Sequence, residues 1–591
     1  MKYLGVDYYP EQWGMELVDD DLDNIVELGA NLIRIADFAW DKIEPENNKY
    51  DFSFFDEVIE KAKKHNLKVM MCIPTATIPS WLYKSNTEIM NENEYGYRQP
   101  FGARRGHCIN NDIYLKKAKE VTRAIVNHYK DEDAIVAYQI DNEIGHEGSD
   151  MCYCPTCHKK FIDYLRNKYK DINELNYRWG TQFWSQTYYD FDDIPLPKPS
   201  FTAQNPSLRL EWERFRSLSA ENFIKTLRDE IKNINSNILV THDFEGGTIN
   251  KHFNPFAIAK HIDVVSYNNY PVWGGQVAPL SDSDLSFTVD FARGFKQEKF
   301  WITEAIMGAQ GHNDIGYAPR PNEAKKWALD SLNHGVESLI FFRYRGFTKG
   351  AEQFCFGILD TDNQKRRKYY ETQDFFKQAK QKNIEYPKSD VCLVYDYDSK
   401  SSMSIQRQSD CFSYEKECMK LYKQLYIRNM NCDIIDSSKD FSKYKLVILP
   451  YMIIMSDEFK ARLKDYVSSG GKVLLTPRTA WKDIDNNLVF NKRLPVDIDD
   501  LTGAVIEEHE TLLTNISSPC EYEGIESKGY VFAEMLKIST AKVLVKWINN
   551  PFGDYAAATV NNYGNGKCYY LGSSFDDAIL NKLFDLILSN N

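Results

Sequence analysis

The sequence predicts an α/β protein: a (β/α)8 TIM barrel followed by a smaller, flavodoxin-like α/β domain. Three observations carry this. Between residue 3 and about 345, eight short β-rich runs alternate with helical stretches, the signature of a parallel barrel. No glycine-rich phosphate turn follows the first run, which counts against a doubly wound dinucleotide fold. Near Lys380–Lys388 the composition breaks and a new series of strands and helices begins.

The first run is Tyr3–Tyr9, and the next seven are Asn31–Ala36, Leu67–Pro74, Ile135–Glu143, Asn237–Phe244, Asp263–Pro271, Phe300–Ala305 and Ser338–Arg345. Short β-rich runs of this kind read as strands. Apolar positions at helical spacing fill the gaps at Phe54–Asn66, Ala118–Lys130 and Glu323–Gly335. The clearest helix is Leu208–Asn235, where Glu, Arg and Lys separate the apolar positions. After the break, Val391–Tyr397, Cys432–Asp436, Lys445–Tyr451 and Lys472–Pro477 read as strands, with helices at Ser413–Asn429 and Asp457–Ser469. That part carries no catalytic motif, so packing or oligomerisation is its expected role. From about Asn491 the pattern turns to β, with Ala541–Asn549 and Lys567–Leu571, before a closing helix at Asp577–Ser589. The expected domains are therefore residues 1–388 and 389–591.

Composition narrows the function. Lys+Arg 72 against Asp+Glu 85 gives a net charge of −13, which argues against binding a phosphate backbone. Aromatic residues reach 14%, but flat rings suit both sugar faces and cores, so this alone decides nothing. No basic segment with an apolar stretch and cleavage site opens the chain, and the longest apolar run, Leu446–Met455, is too short to span a bilayer. The expectation is a cytoplasmic protein without membrane or nucleic-acid partners. Twelve cysteines in such a chain are not expected to form a disulfide framework. One cluster stands apart: Cys152, Cys154 and Cys157, around Pro155. Three thiolates within six residues fit three ligands of a tetrahedral ion, and the fourth must come from elsewhere.

Catalytic residues of a barrel sit at the C-terminal ends of its strands. The fourth run ends Asp141-Asn142-Glu143 and the seventh ends Thr303-Glu304. A single strand-end glutamate is more often one half of a salt bridge. Two, at facing strands and one beside an amide able to hold a sugar hydroxyl, fit glycoside hydrolysis, which needs one protonated and one ionised carboxyl.

At these residues the sequence resembles glycoside hydrolase family 42, the microbial β-galactosidases. The resemblance is carried by Gly5-Val6-Asp7-Tyr8-Tyr9-Pro10-Glu11-Gln12-Trp13, Phe38-Ala39-Trp40, Pro74-Thr75-Ala76-Thr77, Trp81-Leu82, Asp141-Asn142-Glu143, Thr303-Glu304 and Gly350-Ala351-Glu352-Gln353-Phe354. It implies a retaining, exo-acting hydrolase of terminal β-D-galactosyl units of oligosaccharides, with Glu143 as acid/base and Glu304 as nucleophile. It further implies that Arg104, Asn142 and Glu352 bind the sugar, and that Cys108 joins Cys152, Cys154 and Cys157 around a structural zinc. Four thiolates leave no open coordination position, which speaks against a zinc-dependent hydrolase. No organic cofactor is implied. The second domain resembles the family's flavodoxin-like trimerisation domain, implying a homotrimer.

The sequence departs from the family pattern in three places. His312 stands where the family usually has Trp, and Cys355 where Glu-x-x-His is usual. Both positions are expected to meet the sugar, and a thiol is a much weaker hydrogen-bond partner than imidazole. They motivate a rival reading, the same mechanism on an α-L-arabinopyranoside, a β-D-fucoside or another β-glycoside. The third departure is the family's small C-terminal β-domain, which this chain is expected to lack. A carbohydrate-binding protein on a dead scaffold is the rival from another class, and the intact Glu143 and Glu304 argue against it.

Overall fold

The structure is a computed structural model and describes residues 1–589; residues 590 and 591, the last two of the expected second domain, lie outside the described residues. The chain divides into two compact units. One comprises Met1–Asp163 with Phe215–Pro387, and the other Tyr164–Arg214 with the chain from Lys388 onward.

The first unit is a parallel barrel of β1 (Tyr3–Asp7), β2 (Leu32–Ile35), β3 (Lys68–Ile73), β4 (Ile135–Ile140), β5 (Leu239–Thr241, resuming at Asp243–Phe244), β6 (Ser266–Asn269), β7 (Phe300–Ile306) and β8 (Val336–Phe342). Strand β1 pairs with both β2 and β8, so the sheet curls on itself. The ring closes through the chain. The first piece of β5 pairs with β4 and the second with β6, and the break falls at His242. The strands are buried almost throughout, as a barrel wrapped by helices requires. Leu32, Met70, Ala137, Val264, Trp301 and Ile340 form one buried cluster. Packing of this kind stabilises by about 1.5–3 kcal/mol per large apolar side chain.

All eight expected strands are present, but several stop short of the sequence-based ends. The fourth was expected to run to Glu143 and ends at Ile140. Asp141 and Glu143 have φ of 56° and 48°, left-handed backbone that a strand ladder does not carry. Glu143 therefore lies on the loop beyond β4, whereas Glu304 lies within β7.

In the second unit, β9 (Val391–Tyr395), β10 (Asp433–Asp436), β11 (Leu446–Leu449) and β12 (Lys472–Leu475) are the four strands read from the sequence. With β19 (Gly566–Leu571) they form a parallel sheet in the order β10-β9-β11-β12-β19, the flavodoxin order. Between β12 and β19 comes an antiparallel insertion: β13 (Ala504–Thr511), β14 (Ser518–Tyr522), β15 (Ile525–Tyr530), β16 (Phe532–Ile538), β17 (Lys542–Trp547) and β18 (Ala556–Tyr563). The sequence reading has only β17 of these. The segment Tyr164–Arg214, expected within the barrel domain, belongs to this unit. Arg178 forks onto Asp485 at 2.8 Å, and Ser207 Oγ donates to Asp485 O at 2.6 Å. Among the described residues no helix is long and apolar enough to cross a membrane.

Candidate active site

The site is organised around a cation inside the barrel. Arg34, on β2, is 1% exposed and contacts four carboxyls: Asp7 and Asp37 at 2.8 Å, Glu304 at 3.1 Å and Asp243 at 3.3 Å. Its Nε donates to Gln139 Oε1 at 2.8 Å. One guanidinium cannot neutralise four buried carboxylates. Burial, working against Arg34, pushes Asp7, Asp37 and Asp243 up to about 7, so the cluster retains protons near neutrality.

Three donors converge on Glu304. Arg34 Nη1 lies 3.1 Å and Asn142 Nδ2 3.5 Å from its Oε1, and the Tyr270 hydroxyl donates to its Oε2 at 2.5 Å. Glu143 Oε1 accepts from Asn268 Nδ2 at 2.9 Å, while Arg105 and Arg104 stand 3.7 and 3.9 Å from its Oε2. Burial, with the charges of Glu143, Asp7 and Asp243, pushes Glu304 well above the ordinary range against the pull of Arg34. Burial also opposes charge on Glu143, but His146, Arg104 and Arg105 outweigh it and hold that carboxyl low. The two titrate together and keep one proton between them.

Both glutamates face a cavity of about 270 Å³ that Arg104, Glu352, Tyr270 and Trp273 also line. Arg104 Nη1 is 3.7 Å from Glu352 Oε1 and Arg343 Nη1 is 3.4 Å from Glu352 Oε2. Burial works against charge on Glu352, but His312, Arg104 and Arg343 hold it down at about 2, so it is an acceptor at working pH. Among the residues expected at the sugar, Arg104 and Glu352 line the cavity. His312 stands beside Glu352 and is not among the lining residues, its Nε2 3.7 Å from Oε1 and its ring edge-to-face with Trp273 at 5.7 Å. Asn142 is 1% exposed; its amide nitrogen reaches Asp243 at 2.7 Å and its oxygen accepts from Arg105 at 2.8 Å. Cys355 is not among the residues that line the cavity, and packs beneath Phe38, Tyr270 and Trp273, which are. It is fully buried against Tyr9 and Phe342, with its thiol directed at Gly311 O at 3.8 Å, and it offers the cavity no surface.

Sequence reasoning passed over Arg34, Arg105, Asp243, Asn268, Tyr270 and Trp273. Arg34 and Asp243 did carry a signal, as charges inside apolar strands demand buried partners. Arg105 is more buried than Arg104 and bonds Asn142 through both backbone and side-chain oxygens.

The four expected cysteines come together. The sulfurs of Cys108, Cys152, Cys154 and Cys157 all lie within 4.8 Å of one another and are buried. Cys108 is 3.4 Å from Cys157 and 3.8 Å from Cys154. A regular tetrahedron with metal–sulfur bonds of about 2.3 Å has edges of about 3.8 Å, so the group fits a metal ion. Glu92 N–H and Asn110 Nδ2 point at the sulfurs of Cys152 and Cys157 at 3.5 and 3.4 Å, as thiolates favour. The cluster joins the loop bearing Arg104 and Arg105 to the loop that follows Glu143.

A parallel barrel with two buried glutamates at the mouth of a small polar and aromatic cavity defines a glycoside hydrolase. Comparison with known proteins gives the family. The family 42 model, described as β-galactosidase, matches residues 7–382, and the β-galactosidase trimerisation domain model matches residues 389–591. The chain is 31% identical to β-galactosidase BgaA of Clostridium cellulovorans over 99% of this chain and 89% of that one. The polyextremophilic β-galactosidase of the Antarctic haloarchaeon Halorubrum lacusprofundi superposes with a TM-score of 0.95 at 28% identity, over 99% and 89% of the two chains. The β-galactosidase of Bacillus circulans sp. alkalophilus does so with 0.93 at 28% identity, over 99% and 87%. This chain belongs to glycoside hydrolase family 42.

Proposed function

We propose that the protein is a retaining, exo-acting β-galactosidase in which Glu304 attacks the anomeric carbon and Glu143 is the acid/base. The observation that carries this is the pair of buried carboxyls held by separate donor sets on one cavity. In the first step Glu143 protonates the departing oxygen while Glu304 forms a glycosyl ester. In the second, Glu143 takes a proton from water, which displaces Glu304 with net retention. Arg34, Tyr270 and Asn142 favour the charged form of Glu304, but burial and its acidic neighbours outweigh them while Glu143 is held low, so in the free enzyme the shared proton rests on Glu304 and turnover runs through the form in which it has passed to Glu143. Arg104 and the ionised Glu352 are the hydroxyl readers. A cavity of about 270 Å³ is small beside the ~300–1,000 Å³ of common ligand clefts, which supports removal of one terminal sugar.

Initial rates on aryl β-D-galactoside, α-L-arabinopyranoside, β-D-fucoside, β-D-glucoside and β-D-xyloside test the glycone. Galactoside is expected to be preferred. His312, packed between Glu352 and Trp273, supports the rival reading, and preference for another sugar would move specificity there. Cys355, buried beneath Phe38, Tyr270 and Trp273, would act on specificity only through those lining residues. The pH profile follows from the pair. A second proton neutralises the nucleophile and loss of the last proton removes the acid. With Glu143 held below 4.5 and Glu304 raised well above it, kcat/KM is expected to trace a broad bell. A single narrow optimum close to pH 4.5 would contradict this.

The four-cysteine group is proposed to hold zinc in a structural site, where the bound ion would crosslink two loops at the barrel mouth. Cys108→Ser is expected to abolish stoichiometric zinc in elemental analysis and to lower Tm. Chelation is expected to reduce stability before turnover, and immediate loss of turnover in a still-folded protein would contradict a structural role. We further propose a homotrimer, supported by the match to a trimerisation domain and tested by a light-scattering mass three times that of the chain. A cytoplasmic location is supported by the buried four-cysteine group, since thiolate ligands suit a reducing compartment. Fractionation of the source cells tests it.

A further inference from the structure

We propose that Asp243 is the positioning residue that sets both catalytic carboxyls at once, on the reading of Glu143 and Glu304 just given. Asp243 begins the second piece of β5 and is completely buried, so it does not touch substrate. Its Oδ2 accepts from Asn142 Nδ2 at 2.7 Å, Asn268 Nδ2 at 3.1 Å and Arg34 Nη2 at 3.3 Å, and its Oδ1 accepts from Glu143 N at 3.2 Å. Each of the three side chains also reaches a catalytic carboxyl. Asn268 Nδ2 donates to Glu143 Oε1 at 2.9 Å, Arg34 Nη1 to Glu304 Oε1 at 3.1 Å, and Asn142 Nδ2 lies 3.5 Å from Glu304 Oε1. Asp243 therefore holds the backbone of the acid/base, its amide donor, and two of the three donors on the nucleophile.

The amides cannot be turned around without loss. Thr303 Oγ1 donates to Asn268 Oδ1 at 3.2 Å and Arg105 Nη1 to Asn142 Oδ1 at 2.8 Å, so both NH2 groups face the acids. The approach is tight on the other side too. A Cβ on Gly246, three residues on, would stand 1.6 Å from Asn268 O, so only glycine lets this loop lie against Asn268. The break in β5 at His242 serves the same end, because Asp243 there belongs to the piece that pairs with β6, the strand of Asn268.

Charge matters as well as geometry. Asp243 faces Arg34, Asp7, Asp37, Glu143 and Glu304, with His242 Nδ1 3.9 Å from its Oδ1. That nitrogen bonds Ile140 O at 2.8 Å and Nε2 accepts from Ile144 N at 3.3 Å, so His242 is neutral. Above about pH 7, where Asp243 is ionised, its replacement by an amide removes one negative charge beside the catalytic pair, and the pair's last proton is then lost at lower pH.

The test is Asp243→Asn in the full chain. We expect kcat on lactose to fall about 10²-fold, the scale of a small misplacement of reacting groups, with KM changed by less than about three-fold and the alkaline limb of the pH profile moved down. Unchanged kcat and limb would overturn the proposal. So would a fall in kcat with an unmoved limb, which a purely structural role gives. If Asp243→Asn does not fold, Asn268→Ala cuts only the Glu143 branch. Its loss of kcat/KM, which reports formation of the glycosyl-enzyme, should be large on lactose and small on 2,4-dinitrophenyl galactoside, whose leaving group needs no proton; equal losses of kcat/KM on both would overturn the proposal. Failure here is distinct from failure of the function: if Glu304→Ala abolishes turnover and Asp243→Asn does nothing, only the positioning role falls.

Discussion

Glu304→Ala is expected to reduce kcat on an aryl β-D-galactoside by roughly 10⁴-fold or more, the scale of losing a covalent nucleophile. The carboxylate cannot be replaced from nearby. Asp7, Asp37 and Asp243 are buried, bound to Arg34 and wholly inside the barrel, and Glu352 is held by Arg104 and Arg343. The truncation opens space beneath the anomeric carbon, so added azide should restore turnover. Its product should be the α-galactosyl azide, because the small anion attacks from the face that Glu304 occupied. NMR of the product decides. Substantial residual turnover without azide, or a β-configured azide, would contradict the assignment.

Glu143→Ala is expected to cost about 10²–10⁴-fold, the range for a positioned acid/base, and unevenly. Lactose, whose leaving alcohol must be protonated, should lose most. A dinitrophenyl galactoside should still form the glycosyl-enzyme and then stall, because no base remains to activate water. Azide should relieve the stall and give β-galactosyl azide, the opposite anomer from the Glu304 variant. The alkaline limb of the pH profile should disappear, since the pair no longer contains a general acid whose protonation the last titration can remove. Equal losses of kcat/KM on both substrates would indicate a structural effect.

Much of the fold is legible in the sequence because buried parallel strands leave continuous apolar runs. Val69–Ile73 and Trp301–Ile302 cannot be read otherwise without exposing them. The antiparallel insertion was not legible for the converse reason. Strand β15 reads Ile-Glu-Ser-Lys-Gly-Tyr and is largely exposed, and β13 carries Glu507, Glu508 and His509 on its exposed length, so tertiary pairing rather than composition makes them strands. That Glu143 and Glu304 share one cavity was legible from their motifs, although Glu143 lies on the loop beyond β4 and Glu304 within β7 rather than at its end. Asn268 and Asp243 were not, because a buried amide and a buried carboxylate acquire their roles only when two strands separated in sequence are paired. Cys355 shows the opposite limit. Its sequence position points to the sugar, and the structure buries it against Tyr9 and Phe342, under the aromatic lining of the cavity.

The most direct test of the two-glutamate account is to inactivate the enzyme with a 2-deoxy-2-fluoro-β-D-galactosyl donor and locate the label by mass spectrometry of the digest. The fluorine slows release of the glycosyl-enzyme, so the nucleophile stays marked. The account predicts one fluorogalactosyl group per chain, on the peptide containing Glu304, with activity returning as the label is hydrolysed. A label on any other residue, or inactivation without a covalent sugar, would contradict it.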